Sequence, residues 1–252
     1  MAIKQGDHAH LAATFAESWG NSRAFRPEPW QPVVLATRRH DDGWLEWDGA
    51  PTLDDRGRPL DFLTIPVADR LEIYRRGIEM VASEDLHAGL LTSLHLTGLL
   101  VGGYEPGTPA ALDSFGARDR PITEQFLAEQ ERWRARIREK MGELSQLHDQ
   151  YRLVKFCDFL SLTLCMTPPS EPRPHHFPFV PLAPGKALST LDLKPGVDGH
   201  LALNPYPFTQ PTLGAEVAAR RLPSTSFESE TAYRRALENA PIEKLRFVLS
   251  PT

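Results

Sequence analysis

Cysteine is nearly absent, with Cys157 and Cys165 alone in 252 residues, and the pair shares one apolar stretch. They make neither a CxxC motif nor a disulfide framework, so buried thiols are the expectation. Long hydrophobic runs are missing too. No segment stays apolar over the roughly 20 residues a transmembrane helix needs, and Met1-Ala2-Ile3-Lys4-Gln5-Gly6-Asp7-His8 lacks the apolar region of a signal peptide. A cytoplasmic protein that does not engage a membrane is expected. Nor is there a basic excess. With 28 Lys and Arg against 33 Asp and Glu, the formal charge is -5, the wrong sign for a surface that holds a nucleic-acid backbone. A small anionic substrate remains compatible with that balance. Finally, the chain has no P-loop, no Gly-rich dinucleotide fingerprint and no GxSxG elbow, which removes support for nucleotide-switch, Rossmann and serine-hydrolase chemistry.

What is present is 41% hydrophobic residues, enough for a sizeable core, arranged with helical periodicity over the first two thirds. Leu11, Phe15 and Trp19 share a face of a helix running from Asp7 to about Trp19. Pro29 and Pro32 open a second helix, Val33 to about Asp42, with Gly43 as the permissive residue past its end. A long loop with Pro51, Gly57, Pro59 and Pro66 follows and is expected to act as a lid or pocket wall. Further helices are expected over Ala68–Ala82, over Leu86–Leu100 with a cap at Ser83-Glu84-Asp85, over 122–149 as a solvated amphipathic helix, and over Tyr151–Met166.

Near residue 168 the pattern changes. Pro168, Pro169, Pro172, Pro174, Pro178, Pro181 and Pro184 exclude helix and suggest an extended segment laid over the surface. Beyond it Leu188–Asp192, His200–Leu203, Ala215–Leu222 and Leu245–Leu249 have the look of short strands. The expected architecture is therefore mainly α. It comprises a helical domain at 1–167 and, at 168–252, a proline-rich segment with a small antiparallel β element packed on the same body.

Chemistry concentrates in a few residues. His40-Asp41 sits at a helix end, where neighbouring side chains can converge on one cation. His8 lies on the inward stripe of the first helix, whereas His10 is rotated about 200° away. His87 and His95 follow each other at steps of four on an apolar helix, so both point inward and need partners. Asp158 stands between Phe156-Cys157 and Phe159-Leu160, a costly setting for a carboxylate that is neither paired nor metal-bound. Lys155, one turn earlier, either faces the same cavity and positions an anion or reaches to solvent. Arg38 and Arg39 carry the same two options, and Trp44 and Trp47 either wall a pocket or pack in the core. His175-His176 is expected to be exposed.

The ordered set His8, His40-Asp41, His87, His95, Asp158 resembles the H…HD…H…H…D pattern of the HD-domain metal-dependent phosphohydrolases. More closely, Gln5-Gly6-Asp7-His8, His40-Asp41-Asp42-Gly43-Trp44, Ser93-Leu94-His95 and Cys157-Asp158-Phe159-Leu160-Ser161 resemble a bacterial family of unknown function. The resemblance implies an HD-like helical bundle. It also implies one or two divalent ions (Mn, Fe, Zn, Ni or Mg), with His8, His40, Asp41 and Asp158 as the mononuclear set and His87 and His95 as second-metal ligands. The implied reaction is hydrolysis of a small phosphorylated metabolite by a metal-activated water, with Asp41 or Asp42 as proton acceptor. A di-iron oxygenase on the same fold and a non-catalytic ligand-binding or structural protein are the alternatives.

Overall fold

The computed structural model describes residues 1–103, 112, 115–167, 171–196 and 199–252. The helical part contains α1 (Gln5–Ser18), α2 (Gln31–Arg39), α3 (Leu45–Gly49), α4 (Val67–Glu84), α5 (Leu86–Val101), α6 (Asp119–Met141) and α7 (Leu147–Met166). The rest comprises β1 (His175–Val180), β2 (Ser189–Pro195), β3 (Leu201–Asn204), β4 (Leu213–Arg220), α8 (Glu230–Asn239) and β5 (Ile242–Ser250). Four helices, α1, α2, α5 and α7, pack pairwise around one point. Leu11 and Phe15 of α1, Trp19 just past its end, and Leu153 and Phe156 of α7 form a single apolar core with Leu191, Leu203 and Leu249 of the sheet.

That shared core corrects the expected fold class. The chain is 50% helical and 17% strand, a mixed α/β fold and not a mainly-α bundle carrying a small antiparallel element. The sheet has five strands in the order β1-β2-β3-β5-β4. Its β3–β5 pair is parallel, with Leu201 opposite Leu249, and the other pairs are antiparallel. The reason is burial on two sides. α1 and α7 direct one face at each other and at α2, and cover a second with strands: α1 packs on β4 and α7 on β1. Edge-to-face contacts between Trp19 and Phe208 and between Phe156 and Phe177 tie helices to the β half. Alternating burial along β4 supplies the matching apolar face.

Part of the expected extended segment joins the sheet. His175–Val180 forms the edge strand β1, and its pairing shifts register between Phe177 and Val180, around Pro178. A proline lacks the N–H a ladder needs, so an edge position with a register shift is where it fits. Pro168 and Pro169, at the expected boundary, lie outside the described residues.

Other boundaries differ locally. The helix expected over 122–149 stops at Met141, where Gly142 adopts φ 79°, and α7 begins at Leu147. Asp85, not Ser83, caps α5, accepting from the Ala88 N–H at 2.7 Å. The expected loop after Trp44 starts with helical turns, a 3-10 turn at Asp42–Trp44 and then α3. The α8 helix was not anticipated, although Ser229 before Glu230 is a capping signal, and its hydroxyl accepts from the Ala232 N–H.

Candidate metal centre

Each helix delivers its residue for a local reason. α1 has no side-chain cap of its own at Lys4, and its first turn is held instead by Asp48, whose Oδ2 accepts from the Gly6 N–H at 3.2 Å. Burial, partly offset by the Gly6 and Gln5 amides, pushes the Asp48 carboxyl up to about 6. One turn further on, His8 is buried while His10 is exposed.

At the other end of α2, His40 follows the last helical residue, and the chain leaves through Asp41 (φ −102°) into the 3-10 turn. Breaking the helix there lets two neighbours face one point, with His40 Nε2 3.4 Å from Asp41 Oδ2. Gly43 has a role different from the one expected. Its φ is not positive; it permits contact with α4, since a Cβ there would lie 2.1 Å from the Ile73 carbonyl oxygen.

Asp158 of α7 is the hub. Its Oδ1 lies 2.8 Å from His8 Nε2 and 3.3 Å from His40 Nε2, and its Oδ2 lies 3.2 Å from His95 Nε2. All five residues, His8, His40, Asp41, His95 and Asp158, are buried.

Hydrogen bonding on the far sides of the rings fixes their orientation. His40 Nδ1 donates to the Thr37 carbonyl at 2.8 Å, leaving Nε2 of the neutral ring with a lone pair. The Ser161 hydroxyl donates to the Asp158 carbonyl, so its oxygen accepts from His8 Nδ1 at 2.9 Å. His8 Nε2 then also points a lone pair at a carboxylate, an arrangement that only a proton or a cation between them makes favourable. Among the described residues, His40 Nε2 and both His95 ring nitrogens have no hydrogen-bond partner. Orphaned buried nitrogens facing carboxylates are costly alone and suited to a divalent ion.

The electrostatics agree. Burial alone would raise the Asp158 carboxyl, yet the imidazoles of His40, His8 and His95 hold it well below the ordinary carboxylate range. Burial alone would lower His40, yet Asp41 and Asp158 hold it well above its usual value. The cluster demands positive charge. Two triads, His8-His40-Asp41 and His40-His95-Asp158, have ligand atoms within 4.8 Å of one another and can hold a metal ion.

Not every expected residue joins them. His87 stands eight residues before His95, about 12 Å along the helix axis. Gln150 donates its amide to the Pro29 carbonyl, which turns Oε1 toward His87 Nε2 at 2.7 Å and makes that nitrogen the donor. Asp42 accepts from Arg39 at 2.5 Å, and Arg39 also binds Glu84, while Arg38 pairs with Glu17. Lys155 Nζ sits 5.7 Å over the Phe159 ring. Cys157 is fully buried, and burial pushes its thiol up. Ser161 and Thr37, which orient the rings, were not singled out in the sequence, although each sits three residues from a ligand.

Two cavities flank this arrangement. A cleft of about 910 Å³ runs between Trp44, Trp47, Asp48, Phe62 and Tyr233 but touches none of the five clustered residues. A recess of about 80 Å³ is smaller yet opens directly on His95, between Tyr151 and Lys155. Proximity to the unpartnered imidazole makes the recess the better candidate for chemistry. No curated protein and no solved structure matches the chain. The family described as "Protein of unknown function (DUF3891)" matches residues 1–224, and the chain belongs to that family.

Proposed function

We propose that the protein is a metal-dependent hydrolase of the HD type, acting on a small phosphorylated metabolite. It would hold one divalent ion with His8, His40, Asp41, His95 and Asp158. The observation that carries this is the set of buried, unpartnered imidazole nitrogens turned toward two carboxylates. A bound divalent cation would supply Lewis acidity, lowering the pKa of a water and drawing charge from a phosphoryl oxygen.

The chain's own residues do the rest. Thr37 and Ser161 hold two rings in the tautomer that leaves Nε2 free. Asp41, at the turn after α2, takes one proton from the attacking water. The bond from phosphorus to the alcohol oxygen breaks as the bond to water oxygen forms, and the alcohol leaves with a proton from solvent. Asp42 is occupied by Arg39, so Asp41 is the better acceptor.

The di-iron alternative needs His87 as a ligand, and its hydrogen bond to Gln150 two turns from His95 weighs against that. A non-catalytic cluster would have to satisfy itself through the imidazole–carboxylate contacts alone, which leaves His95 Nδ1 without a partner among the described residues. The test is metal analysis of untagged protein, followed by phosphate release from a panel of small phosphomonoesters. One ion per chain and turnover that His40→Ala abolishes together with the ion are expected. Metal-free protein after exposure to Mn, Fe, Zn, Ni and Mg would end the proposal.

A further inference from the structure

The wider cleft, about 910 Å³, has the size of a small-molecule site, for which about 300–1,000 Å³ is usual. Four rings line it: Trp44 from the 3-10 turn, Trp47 from α3, Phe62 from the loop before α4 and Tyr233 from α8. Trp44 and Trp47 stand at right angles with centroids 6.4 Å apart, which makes an apolar corner. Tyr233 is backed by Phe227, with centroids 5.0 Å apart. The negative face of an aromatic ring attracts a cation. Among the described residues no Lys or Arg lies over these four rings; the cation–ring contacts fall on Trp30, Phe126 and Phe159.

Asp48 sits half-buried in the same wall. Its carboxylate accepts from the Gly6 N–H but makes no ion pair among the described residues. Burial raises this carboxyl, the Gly6 and Gln5 amides and Lys4 offset only part of the rise, and Asp41 adds to it. A carboxylate held in this way lacks a cation. Burial and then the Asp48 charge also raise the Tyr233 phenol, so that ring and the carboxylate share one region of the cleft. The lining cations do not fill the gap. Arg234 is taken by the Ala50 and Pro51 carbonyls and by Glu230, and Arg220 is not among the groups that chiefly act on Asp48. Lys4, Asp61 and Glu238 are exposed, where water and salt screen their charge. A methylated ammonium, weakly hydrated and with its charge spread over methyl groups that pack on rings, matches a carboxylate among aromatic walls. We propose that the cleft binds a quaternary ammonium compound, its methylated head between Trp47, Tyr233 and the Asp48 carboxylate and its body along the remaining space. The cleft touches none of the five clustered residues, so this site stands apart from the hydrolase reading.

Calorimetric titration of the full chain with choline, and in parallel with its uncharged isostere 3,3-dimethylbutan-1-ol, tests it. The work is done at pH 8, about two units above the raised Asp48 carboxyl, and the N-methyl proton resonance of choline is followed in the same samples. Choline should bind at least tenfold more tightly than the isostere, and its methyl resonance should move upfield as the rings shield it. Asp48→Asn, which keeps an acceptor for the Gly6 N–H, should weaken choline at least tenfold and leave the isostere unchanged, a split that a merely structural loss would not produce. Trp47→Leu should weaken both probes and cancel the upfield movement. Equal affinity for the two probes, no choline binding at millimolar concentration, or choline affinity indifferent to Asp48→Asn overturns the site and leaves the metal centre standing.

Discussion

His40 and His87 are both buried histidines near helix ends, yet the structure gives them different partners, and replacing each with alanine separates the consequences. In metal-free protein, His40→Ala removes the ring standing 3.4 Å from Asp41 Oδ2 and 3.3 Å from Asp158 Oδ1. Breaking a buried charge arrangement of that kind costs about 3–5 kcal/mol. At about 2–4 °C per kcal/mol for a chain of this size, the melting temperature should fall by about 6–20 °C. His87→Ala deletes one hydrogen bond and leaves the Gln150 oxygen unpartnered, a loss of about 1–3 kcal/mol. The two ranges meet, so melting of the metal-free forms does not discriminate. Adding the ion does. At a free concentration 100 times its Kd, a ligand stabilises by about 2.7 kcal/mol, or about 5–11 °C here. Wild type and His87→Ala should show that rise and His40→Ala should not, with mass-spectrometric metal content falling in the same order. Loss of the ion from His87→Ala, or an undiminished rise in His40→Ala, would refute the one-ion geometry.

Three other outcomes are expected. Asp41→Asn should strip the metal from desalted protein, while Asp42→Asn, which breaks only the tie to Arg39, should retain it; reversed results would move the ligand to Asp42. Gly43→Ala, whose methyl would meet the Ile73 carbonyl oxygen at 2.1 Å, should destabilise by about 2 kcal/mol or more in urea unfolding, and an unchanged midpoint would contradict the close packing. Asp48 is raised in the folded state to about 6, above its unfolded value of about 3.9, so its contribution is fully present below pH 4 and lost as pH rises through 6. The loss is at most about 3 kcal/mol by pH 7; Asp48→Asn, which keeps an acceptor for Gly6, should flatten that part of the stability profile, and an identical pH slope in both proteins would count against it.

Local order in the sequence carried much of the helical half. The stripe of Leu11, Phe15 and Trp19 also separates buried His8 from exposed His10, because a helix repeats every 3.6 residues. The same rule has a limit. It assigns His87 and His95 to one face, but eight residues of helix also separate them by about 12 Å, which puts His87 beside Gln150 and away from the carboxylates. The sharing of Arg39 between Asp42 and Glu84 is likewise invisible in a run of adjacent acids, since Glu84 arrives from α4.

Composition and periodicity by themselves determined that there would be inward-facing histidines, a buried carboxylate on an apolar helix and a helix end close to His40-Asp41, because each depends on neighbours within a few residues. Only the tertiary structure decided that β5, near the end of the chain, inserts between β3 and β4, that the sheet shares a core with α1 and α7, and that Asp158 lies within reach of three rings. Those outcomes depend on which distant surfaces cover one another, and the free energy of burying them is a property of the pairings and not of any one segment.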